Sequence, residues 1–246
     1  MMTIERKPDI FSADAAAFSD MVEHHQHAIC HALEQADGKA VFHSDVWQRK
    51  AGGGGVTRVI QHGNIFEKGG VNRSDVWGEL PAFMRSEHRT GSPRFFASGL
   101  SIVIHPSHPL VPIIHMNIRY FETEDGMYWF GGGIDLTPAY IDETQARYFH
   151  ASLKAMCDKH HPDFYADFSK QAESYFYIPH RKETRGIGGI FFDHFRTDNS
   201  EYDFNLWKAI GLSFIDAIMP IYHRRQHEPF TSCDQSLQSQ LRAHYV

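Results

Sequence analysis

Apolar and polar residues alternate with a period of two from Ile113 to Phe121. Ile114, Met116, Ile118 and Tyr120 fall on one side, and His115, Asn117, Arg119 and Phe121 on the other. Such alternation predicts a half-buried strand. Surface strands more often carry Lys, Glu and Thr, so a row of His, Asn and Arg asks for a chemical explanation. The stretch "FFASGLSIVIHP" from Phe95 predicts the preceding strand, with Ser101, Val103 and His105 on one face. A turn at Glu124-Asp125-Gly126 leads into "MYWFGGG" as another extended piece. Upstream, "AVFHSDVWQRKAGGGGVTRVIQHGNIFEKGGV" reads as strands and turns. There Val56, Arg58 and Ile60 alternate with Thr57, Val59 and Gln61, and glycines mark both ends.

Elsewhere the period lengthens to that of a helix. Phe18, Met21, Val22, Ile29 and Leu33 make an apolar stripe over Asp14–Ala36, and Gly38 is the stop signal. A second helix starts near Asp142, with Gln145 placed for a capping box and Ala146, Phe149, Leu153 and Met156 as its stripe. His150 lies beside that stripe and is expected to be partly buried. A third helix is expected over 163–178, ended by Pro179, and "RGIGGIFF" then returns to extended chain. The last long helix is expected to start at Ser200, with Ser200 and Asp203 as a capping box. Its buried side is Phe204, Trp207, Ile210, Phe214, Ala217, Ile218 and Ile221, and Pro220 is a bend point. Residues 80–93 read as a loop. Linked strands in the middle and helices at both ends predict an α+β fold with an antiparallel sheet.

Composition narrows the function. The chain has 246 residues, 42% hydrophobic and 13% aromatic, as expected for one globular domain with one core. A net charge of -6 without basic blocks argues against nucleic acid or an anionic membrane as partner. An acidic small molecule remains compatible, because arginines can cluster locally. Cys30, Cys157 and Cys233 are scattered and odd in number, which argues for a reducing compartment. The start "MMTIERKPDIF" lacks the apolar region of a signal peptide, and no run approaches the roughly 18 apolar residues of a membrane span. The expected location is the cytosol. Histidine is abundant at 18 residues, and His24, His25 and His27 are placed on a helix exterior.

Several motifs invite chemistry and admit plainer readings. "GGGG" at 52–55 lacks the GK[ST] ending of a phosphate loop and precedes a strand; "RGIGG" at 185–189 fails the dinucleotide pattern. Both suit tight turns or close approach to a flat ligand. In "FGGGIDLTP", Asp135 reads either as a turn former or as a carboxylate that accepts ligand N–H groups. His105, His115, His150 and His180 are either satisfied structural histidines or a dispersed metal-ligand set without a short signature. Arg119, Arg181 and Arg185 suit carboxylate clamps or surface ion pairs.

Read together, "AGGGGVTRVIQHGNIFEKGGVNRS", "IHPSHPLVPIIHMNIRYFE", "WFGGGIDLTPAY", "CDKHHPDFY" and "YFYIPHRKETRGIGGIFFDHF" closely resemble the oxygen-dependent coproporphyrinogen III oxidases of haem biosynthesis. The resemblance runs from about residue 18 to Val246. It implies a large, flat antiparallel sheet between helices and a homodimer. It also implies oxidative decarboxylation of the ring A and B propionates of coproporphyrinogen III to vinyl groups. Protoporphyrinogen IX, carbon dioxide and hydrogen peroxide are the products. Molecular oxygen is the co-substrate, and no organic cofactor is implied.

By motif match, the resemblance places His115 as proton donor and Asp135 as the carboxylate for pyrrole N–H groups. Ser101, Asn117, Ile118 and Arg119 match substrate contacts, and Arg181 and Arg185 match propionate or structural partners. His105, His115, His150 and His180 match positions assigned to a divalent metal in bacterial members. Trp77 stands where many members have histidine, His194 replaces the second acid of an Asp-Asp pair, and Glu173-Ser174 replaces another such pair. Family members continue past "LRAHYV", so a single, C-terminally short domain over 1–246 is expected, with less propionate binding and dimer contact. Two other readings follow from these residues: a tetrapyrrole-binding protein without turnover, and a histidine-ligated metal enzyme with another substrate.

Overall fold

The computed structural model describes residues 7–87 and 90–245. Expectations made on residues 1–6, on 88–89 and on Val246 lie outside them. The strands are β1 (His43–Gln48), β2 (Gly53–Gln61), β3 (Phe66–Glu79), β4 (Arg94–Pro106), β5 (Ile113–Thr123), β6 (Tyr128–Thr137), β7 (Tyr177–Ile178), β8 (Glu183–Thr184) and β9 (Gly189–Phe195). The helices are α1 (Ala13–Asp37), α2 (Ala82–Glu87), α3 (Glu143–Asp158), α4 (Phe164–Tyr175), α5 (Ser200–Arg225) and α6 (Ser232–Tyr245). Seven strands make one sheet in the order β1-β2-β3-β4-β5-β6-β9, every neighbour antiparallel, and β7-β8 is a small separate hairpin. The predicted α+β class and antiparallel sheet are observed.

Alternation along β5 divides the molecule. Ile114, Met116, Ile118 and Tyr120 are buried against the helices. Phe18 of α1 stacks on Tyr120 at 5.4 Å, Trp207 of α5 meets Phe130 at 4.9 Å and Phe192 at 4.2 Å, and Phe168 of α4 meets Phe192 at 4.7 Å. Each such aromatic contributes about 2–3 kcal/mol through burial. The helices are distributed unequally. α1 and α5 cover this face, with α3 and α4 continuing the layer to β9. At the far end of the other face, Gln238 of α6 donates to the Pro106 carbonyl at 3.1 Å and the His108 carbonyl at 3.3 Å. Val103 in mid-sheet is 36% exposed. Among the described residues α5 alone is long and apolar enough to cross a membrane by length and composition. Its apolar side, from Leu206 to Tyr222, is buried as a core helix.

Several local expectations need correction. His25 is not on the helix exterior. It is fully buried, with Nδ1 2.8 Å from the Met21 carbonyl and Nε2 3.0 Å from that of Lys208. Gly211 of α5 makes room for the ring, since a Cβ there would lie 2.3 Å from His25 Cδ2. Burial holds its pKa below the usual histidine value. Asp135 is not a turn former: it lies with the "FGGG" glycines within β6. The helix expected over 163–178 ends at Tyr175, because the chain turns into the β7-β8 hairpin before Pro179. The α5 cap is Asn199, whose side chain accepts from Tyr202 N, not Ser200. Asp203 instead accepts from Thr197 N and Oγ1. The 80–93 stretch contains α2.

Candidate active site

The polar face of the sheet carries the sequence candidates. Antiparallel register sets Ser101 opposite Asn117, Val103 opposite His115, and His115 opposite Asp135. His115, Asn117 and Arg119 therefore point to one side in a row, with Ser101 and His105 beside them on β4. Ile118 belongs to the same strand, but its side chain is 0% exposed on the helix side and does not share this surface.

Asp135 is the most constrained group on the face, 2% exposed. Arg185 clamps it bidentately, Nη2 to Oδ1 at 2.8 Å and Nε to Oδ2 at 3.1 Å. His115 Nδ1 lies 3.2 Å from Oδ2. A carboxylate only accepts, so this contact places the ring proton on Nδ1 and leaves Nε2 as the basic nitrogen. The Arg185 guanidinium also lies over the Phe176 ring at 4.5 Å. This arrangement holds His115 in one tautomer and orientation.

Arg119 is positioned by glycine. Its Nη2 reaches Asp193 Oδ1 of β9 at 3.0 Å, and Nη1 donates to Asn117 Oδ1 at 3.0 Å. The path crosses Gly131 of β6, where an added Cβ would lie 2.5 Å from Arg119 Nε and 2.6 Å from Asp193 Oδ1. A glycine-rich strand thus lets an arginine lie across the sheet. Asp193 was not singled out from the sequence, although the period-two row Gly189, Phe191, Asp193 puts it on this face.

The remaining candidates disperse. Arg181 and His180 lie in the β7-β8 turn, exposed, with Arg181 Nε donating to Glu183 at 3.0 Å. His150 uses both ring nitrogens, at 2.9 Å from Tyr165 Oη and 2.9 Å from the Ile187 carbonyl. His105 has its Nδ1 buried without a partner, and burial, followed by the charges of Arg242 and neighbouring groups, lowers its pKa to about 4. Among the described residues, no three His, Cys, Asp or Glu side chains gather as a metal-ligating group. The four histidines do not fit the expected divalent metal. Two clefts open near these elements, and only the first is lined by residues of the row. One, of about 330 Å³, is lined by Trp47, Asn72, Ser101, Asn117 and Arg119 among others. The other, of about 690 Å³, lies beside the β7-β8 hairpin and is lined by Glu173, Tyr177 and Gly186 among others.

An exposed sheet face carrying an oriented imidazole, a clamped carboxylate and arginines has groups that can move a proton and pair with carboxylates. The chain belongs to the coproporphyrinogen III oxidase family, whose model matches residues 17–246. It is 43% identical to the oxygen-dependent coproporphyrinogen-III oxidase, chloroplastic, of Glycine max, covering 94% of this chain and 64% of that protein. It is 41% identical to coproporphyrinogen-III oxidase 1, chloroplastic, of Arabidopsis thaliana (96% and 65%). It is 43% identical to the mitochondrial oxygen-dependent enzyme of Rattus norvegicus (92% and 54%). The chain thus spans less than two thirds of the length of these relatives. Their chloroplastic and mitochondrial names overturn the cytosolic expectation. Scattered cysteines suit any reducing compartment, so they did not select the cytosol over an organelle interior.

Proposed function

We propose that the chain catalyses oxygen-dependent decarboxylation of two propionates of coproporphyrinogen III to vinyl groups; its relatives carry the name oxygen-dependent coproporphyrinogen-III oxidase. At each propionate, loss of carbon dioxide and of one hydride equivalent leaves a vinyl group. Oxygen takes up the hydride equivalent and one proton, giving hydrogen peroxide. The observation that carries this reading is the single row of His115, Asn117 and Arg119 with Asp135 opposite. His115 Nε2, fixed by Asp135, is placed to move a proton at the ligand. Ser101, Asn117 and Arg119 supply donors for propionate oxygens. The flat glycine-lined face admits a tetrapyrrole closely. Homodimer formation belongs to the same reading, supported by β1 and β9, which among the described residues form the two edges of the sheet.

The test starts from anaerobically prepared coproporphyrinogen III mixed with the purified chain. Oxygen is then admitted, and the products are oxidised and separated by chromatography. Protoporphyrin that requires both protein and oxygen, and falls at least a hundredfold with His115→Ala, is expected. A folded parent chain that binds the ligand but yields only coproporphyrin would establish tetrapyrrole binding without turnover.

A further inference from the structure

The cleft of about 330 Å³ has an aromatic wall that no step described so far uses. Trp47 lines it together with Ser101, Asn117 and Arg119. Trp47 sits on the edge strand β1, opposite Gly55, and register carries that row through Ser74 and Gly99 to Arg119. Residues directly opposite one another in an antiparallel sheet share a face, so the indole and the guanidinium stand on one surface. Glycine at position 55 is what admits the indole, since a Cβ there would lie 2.4 Å from Trp47 Cζ2 and 2.7 Å from Cε2. Other aromatics on this face are already stacked, Phe191 on Tyr175 at 3.8 Å and Phe121 on Trp129 at 4.2 Å. Trp47 is partly exposed, and among the described residues no ring stacks on it. An accessible aromatic wall beside a serine and an arginine suits a ligand with flat apolar rings and acidic side chains.

We propose that Trp47 is a positioning residue for substrate, its ring stacking on a pyrrole at the end of the tetrapyrrole remote from His115. The inference rests on the tetrapyrrole reading above. Gly55 is level with Arg119 three strands away, and His115 lies four residues further along β5. In a flat sheet this puts the backbone under Trp47 roughly 20 Å from that of His115. The indole therefore acts at a distance from the proton-moving group and is not a catalytic residue. The cleft is at the lower end of the about 300–1,000 Å³ found for small-ligand pockets. It takes one substituted ring, and the rest of the macrocycle extends over β4, β5 and β6 towards His115. Trp47 supplies apolar surface for that ring, and Arg119, across a floor of Ser74 and Gly99, supplies charge for its propionate.

Equilibrium dialysis of coproporphyrinogen III under argon compares the parent chain, Trp47→Phe and Trp47→Leu, with the melting temperature of each. Fluorine NMR of the fluorotryptophan-labelled chain follows the indole itself, because the resonance missing from Trp47→Phe belongs to Trp47. The expected result is about tenfold weaker binding for Trp47→Leu and binding within about threefold for Trp47→Phe, which keeps an aromatic face. The Trp47 resonance is expected to shift as the ligand saturates. If the leucine variant does not fold, Trp47→Phe and the resonance decide. Parent-like affinity in a folded Trp47→Leu, or a Trp47 resonance that saturating ligand leaves in place, overturns the contact and leaves the tetrapyrrole reading intact. Equal losses in both variants overturn stacking through the ring face. No binding by the folded parent overturns the tetrapyrrole reading and this inference with it.

Discussion

Breaking the Arg185–Asp135 pair tests the energetics of the site. The two side chains are 25% and 3% exposed, so water reaches part of the arginine and almost none of the carboxylate. Removing one member of a fully buried pair costs about 3–5 kcal/mol, because the survivor is left uncompensated. Asp135→Asn leaves a guanidinium that water partly reaches and that keeps its place over Phe176, so the loss should be nearer 2 kcal/mol. Arg185→Met leaves a buried carboxylate with only His115 beside it, and the loss should approach 4 kcal/mol. The double variant should lose less than the sum, with a coupling of about 2 kcal/mol. Urea unfolding followed by tryptophan fluorescence measures all four, since Trp207 reports the core. In a chain of this size, Asp135→Asn corresponds to a fall of about 4–8 °C in melting temperature. Additivity within about 0.5 kcal/mol, or a smaller loss for Arg185→Met than for Asp135→Asn, would refute the reasoning.

Two further perturbations separate stability from binding. Gly131→Ala drives a methyl into the Arg119–Asp193 crossing. That pair is 37% and 38% exposed, so stability should change by less than about 1 kcal/mol in thermal melts. Coproporphyrinogen affinity measured under argon should still fall severalfold, because Arg119 is displaced; unchanged affinity would remove it from the site. His105 offers a pH signature. Its folded-state pKa of about 4 lies below its unfolded value of about 6.5, so the unfolded chain binds the extra proton between them. The stability it contributes is present above about pH 6.5 and is lost as pH falls towards 4. His105→Gln should flatten the stability profile in that window, and an unchanged profile would show that another group titrates.

How much was legible follows from which signals are local. The β5 alternation is local, and it gave both the core face and the His115, Asn117, Arg119 row. The α1 stripe gave Phe18, Met21, Val22, Ile29 and Leu33, all buried as expected. His25 was misplaced because histidine looks polar in a sequence. Its burial depends on Gly211, far along the chain. The turn-former alternative for Asp135 arose because three glycines precede it, yet strand partners on both sides hold that segment extended. Its clamp by Arg185, fifty residues on, is a matter of tertiary contact that no spacing encodes.

The same alternation makes fold and chemistry inseparable in β5. Side chains alternate with a period of two, so slipping the strand by one residue exchanges its two faces. Such a slip would bury His115, Asn117 and Arg119 against Phe18 and Trp207 and expose Ile114, Met116 and Ile118. Burying an arginine without a partner alone costs several kcal/mol, on the scale of the whole folding free energy. The polar row is therefore a register lock as well as a candidate site. Gly131 and Gly133 face it on β6 with no side chain, so what keeps Arg119 in place is the crossing to Asp193 rather than packing. Strand glycines weaken a sheet, but here a Cβ would collide, at Gly131 with Arg119 and Asp193 and at Gly133 with the Ile190 carbonyl, so glycine at both positions is what lets the crossing and the β6-β9 pairing form.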